Sequence, residues 1–196
     1  MKEYGIYSPN FDKKKRLTNS IKIIVIHYTG MQSERESLLR LCNPKSKVSS
    51  HYFIKRNGKV LKLVDDHFIA WHAGKSYWKS FKFLNKNSIG IEISNPGHDF
   101  NYKKFTKKQL KSLKQILKYL IKKYKINLKN ILGHSDIAPY RKKDPGPKFI
   151  WNKLIKKNLA FKPKIKTNMQ INIANQFLIK NNLKNRKKKF LFIFNY

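Results

Sequence analysis

Residues able to do chemistry are scarce in this chain, which has 6 histidines and only 10 acidic residues against 45 basic ones. One segment, GHSDIAPYRKKDPGPKF at 133–149, nonetheless gathers His134, Asp136 and Asp144 among prolines, glycines and cations. His27 ends the apolar run IKIIVIH, and His134 directly follows the short run NLKNIL. Strand ends are where α/β proteins set their sites. Asp144 follows His134 on a loop stiffened by Pro145 and Pro147. Two imidazoles and a carboxylate form a sufficient protein set for a catalytic zinc ion, whose fourth position is left to water. Spacing alone does not prove such a site, and each histidine taken singly is also open to a structural role.

The elements that must position these residues can be read from periodicity. IKIIVIHYT, 21–29, is short, β-branched and almost wholly apolar, as a strand covered on both faces requires. Ser33 with Glu36 forms a capping box opening a helix around Leu38, Leu39 and Leu41. HYFIKRNGKVLKLV reads as a hairpin in which Asn57-Gly58 supplies two positive-φ positions. SIGIEIS, 88–94, alternates, with Ile89, Ile91 and Ile93 on one face and Gly90, Glu92 and Ser94 on the other, so Glu92 points away from the isoleucine core. A second capping box, Thr106 with Gln109, starts a long helix carrying Leu110, Leu113, Leu117, Leu120, Ile121 and Tyr124 at helical spacing. NLKNIL gives another short strand running into His134. The expected fold is α/β: a central mixed sheet flanked by helices, the zinc site at strand ends, in a single domain with a basic C-terminal tail.

A length of 196 residues suits one such domain, and 40% hydrophobic content predicts a packed core despite a formal net charge of +35. That charge suits an anionic partner such as nucleic acid. However, Lys outnumbers Arg by 39 to 6 and the cations are spread along the chain, as coding bias alone would produce. Cys42 is the single cysteine, which rules out an internal disulfide and suits a buried thiol. No 18-residue apolar span is present and the N-terminus reads as having no export signal, so the expectation is a soluble cytoplasmic monomer, or an exported one if the true start lies upstream.

Five segments in order, IVIHYT, VSSHYFI, AWHAG, SIGIEIS and GHSDIAPYRKKDPGPKF, resemble the zinc-dependent N-acetylmuramoyl-L-alanine amidases related to phage lysozyme-type amidases and peptidoglycan recognition proteins. The resemblance covers residues 20–151 and is strongest in DPGPKF. It implies a zinc cleft on a mixed sheet and hydrolysis of the amide joining N-acetylmuramic acid, or its anhydro form, to L-alanine. Position by position it implies His27, His134 and Asp144 as ligands of one Zn2+, Glu92 as the catalytic carboxylate and Lys142 as a catalytic cleft lysine. It sets His72 and Trp71 of AWHAG beside the substrate, with His51 and Asn95 as further substrate-binding candidates. Asp136 is read as fixing the turn after His134, with a rival reading as third ligand. His67 and His98 are read as surface residues.

The corresponding division is an N-terminal extension at 1–19, the amidase domain at 20–159 and a lysine- and asparagine-rich tail at 160–196, which is disordered or a reduced wall-binding segment. The expected partners are peptidoglycan fragments or the cell wall, with no obligate nucleic acid. Two alternatives come from other classes: a peptidoglycan-binding module without catalysis, and a basic nucleic-acid-binding protein.

Overall fold

Five runs rich in β-branched and aromatic residues assemble into one sheet in the computed structural model, which describes residues 6–161. They are β1 (Ile23–Tyr28), β2 (Tyr52–Ile54), β3 (Val60–Lys62), β4 (Ser88–Ile93) and β5 (Ile131–Gly133), in the order β3-β2-β4-β1-β5. β1 pairs in parallel with β4 and β5, β2 pairs in parallel with β4, and only β3 runs antiparallel. Four helices surround the sheet: α1 (Glu34–Cys42), α2 (Lys107–Tyr124), the short α3 (His134–Ile137) and α4 (Trp151–Ile155). The mixed α/β sheet expected from the sequence is therefore present. None of the helices among the described residues is long and apolar enough to cross a membrane.

The two sheet faces do different work. Ile24, Ile26, Ile89, Ile91 and Ile93 are fully buried against Leu110, Leu113, Leu117 and Leu120 of α2, whose lysines face outward. Each such side chain contributes about 1.5–3 kcal/mol through burial. α2 begins at the expected capping box: Thr106 Oγ1 accepts from the Gln109 N–H at 3.1 Å, and Gln109 Oε1 accepts from the Thr106 N–H at 3.0 Å. On the opposite face Ile23, Val25 and Leu132 pack with Leu84 and Ile137, and beyond that cluster, toward the carboxyl ends of the strands, come His27 and Glu92.

Two local expectations change. The hairpin joining β2 and β3 has positive φ only at Gly58, at 88°. The Lys55 carbonyl accepts from the Gly58 N–H, and the Lys55 N–H donates to the Lys59 carbonyl, which is a type I turn closed by a glycine bulge rather than a two-residue turn. In NLKNIL the Asn127 side chain accepts from the Lys129 N–H and coils Leu128–Asn130 into a 3-10 turn, so the strand begins only at Ile131.

Residues ahead of position 20 are tied into the domain. Phe11–Asp12 pairs with Ile69–Ala70, and the buried Arg16 guanidinium donates to the carbonyls of Asp66 and Ser88. Of the tail expected at 160–196, residues 162–196 lie outside the described residues.

Candidate metal centre

The parallel pairing of β1 with β5 brings two histidines together from distant parts of the chain. His27 is the penultimate residue of β1, and His134 opens α3 immediately after β5. Asp144 returns to them because its backbone carbonyl accepts from the Ser135 N–H at 2.8 Å. Gly133 makes room for this return, since a Cβ there would lie 2.6 Å from Pro145 Cδ.

His27 Nδ1 lies 3.0 Å from His134 Nδ1 and 3.0 Å from Asp144 Oδ2, and His134 Nδ1 lies 3.2 Å from the same oxygen. Zinc bonds of about 2.0–2.1 Å in tetrahedral array place ligand atoms roughly 3.3 Å apart, so these three donors match the ion in spacing and in kind. The side chains are almost sealed from solvent. His134 Nε2 lies 3.2 Å from the Ala73 carbonyl, which Arg141 also reaches; with the Nε2–H donating to that carbonyl, the Nδ1 lone pair is left for a cation. Burial, and then the neighbouring His134, push the His27 pKa down to about 4, against the pull of Asp144, so His27 is neutral at pH 7. Among the described residues His27, His134 and Asp144 are the cluster suited to a metal. Asp136 is exposed and accepts from the Gly133 N–H at 2.7 Å; it secures the turn, as the sequence suggests, and takes no place among the converging donors.

Glu92 sits beside His27 in the strand register, on the face away from the isoleucines. Its Oε2 is buried with no hydrogen-bond partner. Burial, reinforced by the Asp144 charge and opposed by Lys142, pushes the Glu92 pKa up to about 8. Lys142 is half-buried and lines the same cleft of about 460 Å³, along with Tyr28, Trp71, His72, His98 and Arg141.

Of the four substrate-binding candidates, two reach the cleft and two do not. Trp71 stands at the rim, its Nε1–H donating to Asp12 at 2.7 Å, and His72 stands in the wall against His27. Asn95 is buried; its amide donates to the Lys103 carbonyl at 2.7 Å and accepts from the Gly97 N–H at 3.1 Å, bracing the loop after β4. His51 is likewise buried behind the wall, where Nδ1 accepts from the Gly90 N–H at 3.0 Å. Cys42 is half-buried beside Leu41, Phe53 and Leu63.

Sequence reasoning missed His98 and Arg141. His98 hydrogen-bonds the Tyr28 hydroxyl at 2.7 Å and stacks on Tyr102 at 4.8 Å, at the cleft rim. The available signal was its place in the loop that follows β4, at the carboxyl end of a parallel strand, the same end of the sheet at which His134 follows β5. Arg141 donates to the carbonyls of Ala73 and Lys75, tying the 71–75 segment to the 141–144 loop.

Fold and site together define an α/β protein whose cleft, at the carboxyl ends of its parallel strands, holds a His-His-Asp cluster that could bind a metal ion. The chain matches the family model described as N-acetylmuramoyl-L-alanine amidase over residues 17–147, and it belongs to that family. It is 38% identical over 155 residues to the N-acetylmuramoyl-L-alanine amidase AmiD of Escherichia coli, covering 73% of this chain and 55% of AmiD, so the match spans about half of that relative. It is 33% identical over 168 residues to the 1,6-anhydro-N-acetylmuramyl-L-alanine amidase AmpD of Haemophilus influenzae, covering 76% of this chain and 89% of AmpD. The solved complex of E. coli AmiD with anhydro-N-acetylmuramic acid-L-Ala-D-γ-Glu-L-Lys superposes with a TM-score of 0.68 at 34% identity, over 83% of this chain and 65% of that one.

Proposed function

We propose that the protein is a zinc-dependent N-acetylmuramoyl-L-alanine amidase, cleaving the amide between the lactyl group of N-acetylmuramic acid, or its anhydro form, and L-alanine. The observation that carries this reading is the meeting of His27 Nδ1, His134 Nδ1 and Asp144 Oδ2 at 3.0–3.2 Å, beside a buried Glu92 Oε2 with no hydrogen-bond partner. The substrate named for the AmiD complex supports a muropeptide as the molecule bound here.

His27, His134 and Asp144 would hold the zinc, which would supply Lewis acidity and make water a better nucleophile near neutral pH. Glu92 acts in its carboxylate form, which a dication held by the neighbouring donors would favour, and takes the proton of the attacking water as the water oxygen bonds to the lactyl carbonyl carbon. Lys142 offers an ammonium to the negative charge that develops on the carbonyl oxygen. Glu92, whose buried carboxyl holds a proton readily, then passes it to the alanine nitrogen as the C–N bond breaks. Trp71 and His98, which both line the cleft, give the sugar and the stem peptide surfaces to lie against.

The test is mass spectrometry of a mixed muropeptide and anhydro-muropeptide digest incubated with zinc-loaded protein. Release of free stem peptide beginning at L-alanine is expected, and the sugar form consumed faster identifies the preferred substrate. Intact digest after incubation with folded, zinc-loaded protein contradicts the reading.

A further inference from the structure

The two ligand histidines are oriented by different means. His134 Nε2 donates to a backbone carbonyl, that of Ala73, which no side-chain substitution removes. His27 Nε2 instead faces another histidine, His72 Nδ1, at 3.1 Å. Two neutral imidazoles meeting nitrogen to nitrogen need one donor and one acceptor.

The direction follows from the far end of the chain of contacts. Ser88 Oγ lies 2.6 Å from the Leu84 carbonyl, which can only accept, so the serine hydrogen is committed there. Ser88 Oγ must then accept from His72 Nε2, 3.2 Å away. With its proton on Nε2, His72 presents a bare Nδ1 and receives the His27 Nε2–H. His27 Nδ1 is thereby left without a proton, facing the other two metal donors.

The surroundings hold His72 in this role. A Cβ on Gly90 would fall 2.4 Å from His72 Cγ, so the ring occupies the space that the missing side chain leaves on β4. The backbone N–H groups of His72 and Ala73 both donate to Asn85 Oδ1, at 3.1 and 2.7 Å. His27 and His72 meet edge-on, 80° between ring planes.

We infer that His72 is a positioning residue: the relay Leu84 carbonyl, Ser88, His72 fixes His27 in its Nε2–H tautomer and keeps Nδ1 free for the metal. The inference rests on the zinc reading above, and it gives His72 a task other than substrate contact. Outer partners of ligating histidines act in this way, and their loss typically costs about 10- to 100-fold in metal affinity.

The test compares wild type with His72→Phe, which keeps a ring of similar shape but has no acceptor, and with His72→Asn, whose carbonyl can stand where Nδ1 stood. Ser88→Ala leaves the His72 ring seated and frees its tautomer, so it carries the test if His72→Phe fails to fold. Two quantities are read: the His27 tautomer from ring nitrogen NMR shifts in metal-free protein, and zinc affinity by competition with a chromophoric chelator. Wild type is expected to show Nε2–H at His27. His72→Phe is expected to lose that preference and about 10- to 100-fold in zinc affinity, with Ser88→Ala losing less and His72→Asn returning toward wild type. Unchanged tautomer and affinity in His72→Phe and Ser88→Ala overturn the relay, as does an Asn variant no better than Phe. Failure of wild type to bind zinc would instead sink the proposed function, while the metal-free tautomer still decides the relay.

Discussion

His27 and Glu92 are register partners on adjacent parallel strands, so a candidate metal donor and a carboxyl with no hydrogen-bond partner on one oxygen project side by side from backbones about 4.8 Å apart. Because this proximity comes from strand pairing rather than from a loop, removing the carboxylate need not disturb the histidine. Glu92→Gln is therefore expected to keep one zinc per chain by metal analysis while turnover of a muropeptide falls by about 10²- to 10⁴-fold. Turnover within a few-fold of wild type would remove Glu92 from the reaction.

Lys142 lines the cleft and its charge acts on both His27 and Glu92. In the proposed reaction it faces the developing oxyanion, so it should affect kcat more than KM. Lys142→Met is expected to lower kcat by about 10²- to 10³-fold with zinc content unchanged. A change confined to KM would make it a substrate-binding residue only.

The return of Asp144 depends on the absence of a side chain at Gly133. An added Cβ would meet Pro145 Cδ at 2.6 Å and Trp151 Cζ2 at 3.4 Å. Gly133→Ala is expected to destabilise the fold by about 1–3 kcal/mol, as overpacking does, and to weaken zinc binding by displacing the residue after the ligand. Denaturant titration and chelator competition measure the two effects, and wild-type zinc affinity would show that Asp144 is held independently of this contact.

Asp66 contributes to the pH dependence of stability. Its side chain, 1% exposed, accepts from the Tyr52 hydroxyl at 2.8 Å, the Tyr124 hydroxyl at 2.6 Å and Lys123 Nζ at 3.2 Å. Burial alone would raise its pKa, but hydrogen bonds from Tyr124 and Tyr52 and the charges of Lys62 and Lys123 outweigh it and hold the carboxyl below its ordinary value. A folded pKa below the unfolded value of about 3.9 gives stabilisation that is complete above that pH and is lost as pH falls through the folded pKa. Asp66→Asn is expected to cost about 1.5–3 kcal/mol at pH 7, with the gap to wild type closing below about pH 4. A gap that stayed constant into acid would mean the charge of Asp66 contributes nothing.

Much of this was legible in the sequence where the cause is local. Alternation in SIGIEIS placed Glu92 opposite the isoleucines, the Thr106–Gln109 box marked the start of α2, and the two histidines after apolar runs marked the strand ends. What escaped depends on contacts between distant segments. Asn95 looked free to bind a ligand, but its amide is consumed by Lys103 and Gly97. His98 had no visible partner until the fold set it against Tyr28, and the glycine of SIGIEIS gave no hint that His72 occupies its missing side chain. The Asn57-Gly58 turn shows the same limit at short range, since the dipeptide announces a tight turn without fixing its type.

The most direct test of the zinc amidase reading is a zinc titration of chelator-stripped protein, with released stem peptide followed by mass spectrometry. Release is expected to vanish on stripping and to return in full at one equivalent of zinc per chain. Release that survives stripping, or folded protein that takes up zinc and leaves the amide intact, would contradict it.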